Sequence, residues 1–117
     1  MAIELLATAV VSGAEDLWKH YNSIDHPVER YVVVNNSEGQ FPEVSDVIDK
    51  IVACSNDFVA EAVIVNNRMN AGFGGAVNQI IKQNIDCNYW FITNDDWHVS
   101  PCELAKLDKR LEDDFFG

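Results

Sequence analysis

Arg30-Tyr31-Val32-Val33-Val34-Asn35 is the stretch on which the fold turns. Its apolar residues are consecutive rather than alternating, and three of them are β-branched. That is the pattern of a parallel strand covered on both faces. Three runs of the same kind flank it: Glu4–Val11 before, Ala62–Asn66 and Tyr89–Thr93 after. Successive runs begin roughly 30 residues apart, the span of one βαβ unit. Tyr89–Thr93 is the most aromatic and reads as a central, buried strand.

The segments between the runs have helical period. Glu15–Ile24 puts Leu17, Tyr21 and Ile24 on one face, and Pro42–Ala53 does the same with Val44, Val47, Ile48, Ile51 and Val52. Gly74–Asn84 offers Val77, Ile80 and Ile81. A last helix has Ser100 as N-cap, Pro101 at its first position and Glu103 at the capping-box position, then runs through Leu104, Leu107 and Leu111. The order βαβαβαβα predicts an α/β, Rossmann-like three-layer sandwich around a four-stranded, mainly parallel sheet with right-handed crossovers. Residues 1–117 are read as one domain. The tail 112–117 either docks loosely on it or marks where further structure continues.

Of 117 residues, 48% are apolar and 23% charged, which excludes wholesale disorder. Eight basic against 19 acidic side chains leave a net charge of −11. Phosphate contacts need clustered Lys and Arg, so a general nucleic-acid binder is excluded. No apolar run is long enough to span a membrane. The first residues carry Glu4 and no basic leader, and read as a strand rather than a signal peptide. Cys54, Cys87 and Cys102 are odd in number and far apart. They are expected to be buried, inert thiols of a cytoplasmic protein, with neither a disulfide framework nor a zinc site.

In an open α/β sheet, ligands bind beyond the carboxyl ends of the strands. Here those ends are polar: Ser12-Gly13, Asn35-Asn36-Ser37-Glu38-Gly39, Asn66 through Gly75, and Asn94-Asp95-Asp96-Trp97-His98. Asn suits turns, so part of this is loop chemistry. Gly72, Gly74 and Gly75 precede a helix, which either lets backbone N–H groups approach an anion or lets the helix pack closely. No dinucleotide fingerprint follows the first strand, and no P-loop is present. Asp95 and Asp96 suit a hard cation such as Mg²⁺ or Mn²⁺, which would reconcile an anionic ligand with so acidic a chain. The alternative is a solvated turn whose carboxylate favours the next helix dipole. A receiver domain fits poorly, because its acids follow the first and third strands.

Together the tips resemble family 2 glycosyltransferases of the GT-A fold. Asn70-Ala71-Gly72-Phe73-Gly74-Gly75-Ala76-Val77-Asn78 resembles their N-x-G-F-x-x-x-x-N element. Thr93-Asn94-Asp95-Asp96 resembles their D-x-D strand end, and Val34-Asn35-Asn36-Ser37 is similar to their V-D-N-x-S element. The order and spacing agree over roughly residues 4 to 111. The resemblance implies a donor site for a nucleotide-diphosphate sugar, formed by Ser12, Asn35, Asn70, Gly72, Asn78, Asn94 and Asp95. Asp96 would ligate Mn²⁺ or Mg²⁺, and the sugar would pass to an unknown acceptor.

Two departures stand out: Asn94 and Asn35 occupy positions where the family carries Asp. The family's domain is also about twice as long, with its acceptor site and base in the second half. No catalytic base is therefore assigned, and His98 reads as a turn residue. His20 and His26 are placed at the opposite end of the sheet. Trp97 either stacks on a ligand or covers the surface of the missing half. The rival expectations are an inactive GT-A-like relic serving as a binding or oligomerisation module, with a homo-oligomer as its form, and, less favoured, a nucleotidyltransferase.

Overall fold

The structure, a computed structural model, describes residues 2–94 and 102–116. Its elements are β1 (Ile3–Val10), α1 (Ala14–Asn22), β2 (Val28–Asn35), α2 (Pro42–Ala53), β3 (Val59–Asn66), α3 (Gly72–Gln83), β4 (Phe91–Asn94) and α4 (Glu103–Phe116). The four strands form one sheet in the order β3-β2-β1-β4, and every pairing is parallel. The expected α/β, Rossmann-like architecture is the observed one.

Two apolar layers hold the helices to the sheet. On one face Leu17 and Tyr21 of α1, Val44, Ile48 and Ile51 of α2, and Leu104 of α4 pack against Leu6, Val10, Tyr31 and Val33. On the other, Ala76 and Ile80 of α3 cover Leu5, Ala7, Val32 and Val34. Neighbouring residues of β1 and β2 thus face opposite layers, which is why both strands are apolar at consecutive positions. Val52, read from sequence as part of the buried face of α2, is 65% exposed. It lies one position past Ile51, and a helical step of about 100° carries it off that face.

β4 corrects one expectation, since among the described residues it pairs with β1 alone and lies at a sheet edge. Its apolar run has another cause. Tyr89 and Phe91 pack into one layer, while Trp90 and Ile92 pack into the other. Trp90 also donates its indole N–H to the Asn84 carbonyl at 2.9 Å. Both faces of the run are covered although, among the described residues, no strand pairs with its outer edge.

The thiols are a second correction. Cys54 and Cys102 are exposed and Cys87 is half-buried, all three free. Cys54 is the C-cap of α2, and Cys102 stands just ahead of α4 with φ of 64°, so both occupy helix ends rather than core faces. α4 continues as helix through residues 112–116. Ser100 and Pro101, the expected cap, lie outside the described residues.

His26 is at the amino end of the sheet, as expected. It bonds Asp108 of α4 at 2.7 Å. His20 is not at that end. It is fully buried, with Nδ1 2.7 Å from the Tyr31 hydroxyl and Nε2 2.9 Å from Thr93 Oγ1. Thr93 in turn donates to the Ala7 carbonyl at 3.3 Å. For a neutral ring these bonds run one way, from Tyr31 to His20 to Thr93 to the backbone of β1. One side chain of α1 thereby ties β2 to the last strand.

Candidate functional site

The crossovers fix where a crevice can open. From β1 to β2 to β3 the chain steps in one direction under α1 and α2. It then returns under α3 on the other face to place β4 beside β1. The direction reverses between β1 and β4, so the carboxyl ends of those strands flank the switch point where such sheets bind ligands. Ser12, just past β1, and Asn94, the last residue of β4, are both exposed there. Ala9 of β1 pairs with Asn94 in register, which fixes the two tips as neighbours.

Beside them the tips of β2 and β3 are joined by side-chain amides. Asn35 donates to Asn66 Oδ1 at 3.0 Å, and its own Oδ1 accepts the Ser37 N–H at 3.0 Å. Asn36, only 2% exposed, accepts from Asn67 at 2.7 Å and donates to the Gly72 carbonyl at 3.5 Å. Asn67 and Gln79 of α3 exchange two bonds of 2.8 Å. The backbone follows the same path, with Asn36 N–H on the Val10 carbonyl and Asn67 N–H on that of Asn35. One network therefore spans β1, β2, β3 and α3.

Two loops are shaped for this closeness. Glu38 and Gly39 have φ of 58° and 73°, and the Gln40 N–H returns to the Ser37 carbonyl at 3.0 Å. Positive φ at both central residues is the habit of a type I′ turn, which Gly accepts and Glu adopts at a cost. The turn delivers the Glu38 carboxylate to the Asn70 N–H at 2.8 Å, linking the two loops. Asn70 Oδ1 accepts the Gly72 N–H at 2.8 Å, an Asx turn that opens α3, with Gly72 at φ of 72°.

The glycines separate by cause. Gly72 is required by its φ. At Gly75 an added Cβ would come within 2.8 Å of the Ala71 Cβ, whereas at Gly74 it would meet open space. Close packing thus explains Gly75, against its own helical turn rather than the sheet.

Of the residues singled out from sequence, Asn35, Asn70 and Gly72 belong to this network. Ser12 and Asn94 stand at the adjoining tips. Asn78 is exposed on α3, one position from the participating Gln79. Asp95, Asp96, Trp97 and His98 lie outside the described residues. Among the described residues no group of three or more His, Cys, Asp or Glu side chains is placed to hold a metal ion. Sequence reading missed the parts played by Asn36, Glu38, Asn66, Asn67 and Gln79. Their shared signal was the recurrence of amides at two strand tips that lie side by side.

The site has exposed apolar neighbours in Met69 and Phe73. It can therefore offer amide donors and acceptors, one carboxylate and apolar contact to a polar ligand with a flat or apolar portion. Fold and site together define a class, a doubly wound parallel α/β domain with an amide-lined carboxyl edge. Comparisons with protein-family models, with curated proteins and with solved structures find no match to the chain. Among the described residues no helix is long and apolar enough to cross a membrane.

Proposed function

We propose that the chain is a GT-A-like domain binding a nucleotide-diphosphate sugar at the carboxyl edge of its sheet, and that it acts as a glycosyltransferase toward an acceptor of unassigned chemistry. The observation that carries this reading is the meeting of Asn35, Asn70 and Gly72 in one network beside the β1/β4 switch point. These residues come from the two motifs that resemble nucleotide-contacting elements of family 2. Asp95 and Asp96 follow Asn94 directly in sequence, and Asp96 is the proposed ligand of Mn²⁺ or Mg²⁺. Such a cation, when bound, supplies a Lewis acid that offsets charge on a departing nucleoside diphosphate.

The chain's own residues do the positioning. The Glu38–Asn70 bond sets the spacing of the two loops, and the amides offer neutral hydrogen-bonding groups to a base or sugar. Neutral amides suit this chain, because further carboxylates would add repulsion toward a diphosphate.

One observation favours the second reading, an inactive relic that binds without turnover. Both ends of the Asn35 amide are already engaged within the protein. A residue so held contributes less to a ligand than a free carboxylate would.

Thermal unfolding with UDP-, GDP- and dTDP-sugars, with and without Mn²⁺, tests the proposal. A donor at 100 times its Kd adds about 2.7 kcal/mol of stability. D96A is expected to remove the Mn²⁺-dependent part of the shift. A chain that no nucleotide stabilises is not a donor-binding domain, and binding without sugar transfer selects the relic.

A further inference from the structure

β3 ends the sheet on its other side. Val59–Asn66 pairs with β2 in unbroken register from Val28–Val59 to Asn35–Asn66, and no strand among the described residues covers its far edge. Soluble proteins usually protect an edge with Lys, Pro, a bulge or shortness. Val-Ala-Glu-Ala-Val-Ile-Val-Asn has eight residues, an unbroken register and neither Lys nor Pro. Its one charge, Glu61, lies 3.6 Å from Arg30 on the neighbouring strand. Beyond its two ends stand exposed large apolar side chains, Phe58 before it and Met69 after it.

We infer that this edge pairs with the same edge of a second copy, antiparallel about a two-fold axis through Val63, giving one eight-stranded sheet. Symmetry, charge and strand overlap select the arrangement, since centring on Ile64 would also part the carboxylates but pairs less of the strand. A two-fold axis normal to the sheet keeps opposed residues on one face, so each strand residue must meet a residue an even number of positions away. Centring on Val63 opposes Val63 to itself, Ala62 to Ile64, Glu61 to Val65 and Ala60 to Asn66, so no two like charges are opposed. Centring on Glu61 sets two carboxylates face to face, and centring on Ala62 leaves them one diagonal apart. A parallel pairing would oppose Glu61 to Glu61 and Asp57 to Asp57, which like charges disfavour.

The chosen axis instead brings Phe58 of each copy to the chain that follows β3 in the other, where Arg68 and Met69 lie. A guanidinium over an aromatic face and a thioether beside it are favourable contacts there. The remaining cost is the repulsion of two chains of net charge −11. Salt screens that repulsion, with a Debye length of about 8 Å at physiological ionic strength, so association must strengthen as salt is added.

The test joins mass and register. Sedimentation of the full chain is expected to show a monomer of 13.1 kDa at low salt and a dimer as salt and protein concentration rise. Directly opposed residues of antiparallel strands have Cα atoms about 4.5 or 5.5 Å apart, within disulfide reach. Oxidised V63C is therefore expected to form a covalent dimer linked through the two substituted positions, and A60C is not. Peptide mapping separates this link from one through the exposed thiols Cys54 and Cys102. A chain that stays monomeric at every salt concentration overturns the inference. So does a dimer in which V63C links no faster than A60C, because some other surface then holds it. The readout is mass, so neither result depends on whether the chain binds a nucleotide sugar.

Discussion

The two ends of the sheet are built from different chemistry. At the carboxyl end, Asn35, Asn36, Asn66, Asn67 and Gln79 are neutral and mutually bonded, with Glu38 the single carboxylate in the network. At the amino end, Glu4, Glu29, Arg30, Glu61, Asp86 and Cys87 line a cavity of about 210 Å³. Arg30 serves that group as its cation, 3.6 Å from Glu61, 3.5 Å from Asp86 and 2.7 Å from the Asn84 carbonyl oxygen of the side chain. Burial, reinforced by Asp86, pushes the Cys87 thiol up. Among the described residues, this acidic domain thus gathers charged side chains at one end of its sheet and bonded amides at the other.

Mutations can break or sharpen this contrast. The largest effect is expected from N36A, which deletes a buried amide bonded to Asn67 and Gly72. It should cost about 1–3 kcal/mol in urea unfolding, with little dependence on salt. A salt-sensitive loss would mean that charge, not amide bonding, holds the carboxyl end.

Between the ends, burial holds the Tyr31 phenol far above its usual 10.0. The sign follows from linkage. The folded state resists ionisation, so nothing changes below the unfolded value, and stability falls as pH rises past it, by about 1.4 kcal/mol per pH unit for this group. Alkaline unfolding coupled to phenol absorbance checks this, and phenols that all titrate freely in the folded chain refute it.

G72A forces a side chain into φ of 72° and is expected to cost about 1–2 kcal/mol. G74A, with open space for its Cβ, should instead gain about 0.5 kcal/mol through reduced chain entropy. Opposite signs two residues apart would separate the conformational need at Gly72 from the open position at Gly74. The smallest effect belongs to the amino end. E61Q breaks a half-exposed ion pair and should cost under about 1 kcal/mol, with the loss fading at high salt. A loss there as large as that of N36A would erase the contrast.

Much of the fold was legible in the chain. The bounds read for α2 are those observed, because Pro42 opens the helix and its buried residues keep one stripe. β2 was recognised by its valines but begins two residues earlier, at Val28 behind Pro27. β3 begins three earlier, where Ala60 and Glu61 carry no strand pattern because that edge is exposed. The site was half legible. Asn35, Asn70 and Gly72 announce themselves through local turn chemistry, which sequence records. Asn36, Asn67 and Gln79 act through tertiary partners 12 and 31 positions away, which sequence does not record. Gln79, which bonds Asn67, lies one position from Asn78, about 100° around a helix whose orientation only packing sets.

The late return of β4 also shapes the route by which the chain folds. β1, β2 and β3 can assemble in sequence, each joined to the last through one helix. The contact of Tyr89 with the Glu4 backbone instead closes a separation of 85 positions. The entropy of so long a closure is lost before the strand's four residues return any contact. β4 is therefore expected to join the sheet last, with His20 as the latch between the first three strands and the strand that completes the crevice. Loosening that latch should hasten unfolding while leaving the rate of folding nearly unchanged, so His20 governs how long the native crevice persists rather than how fast it forms.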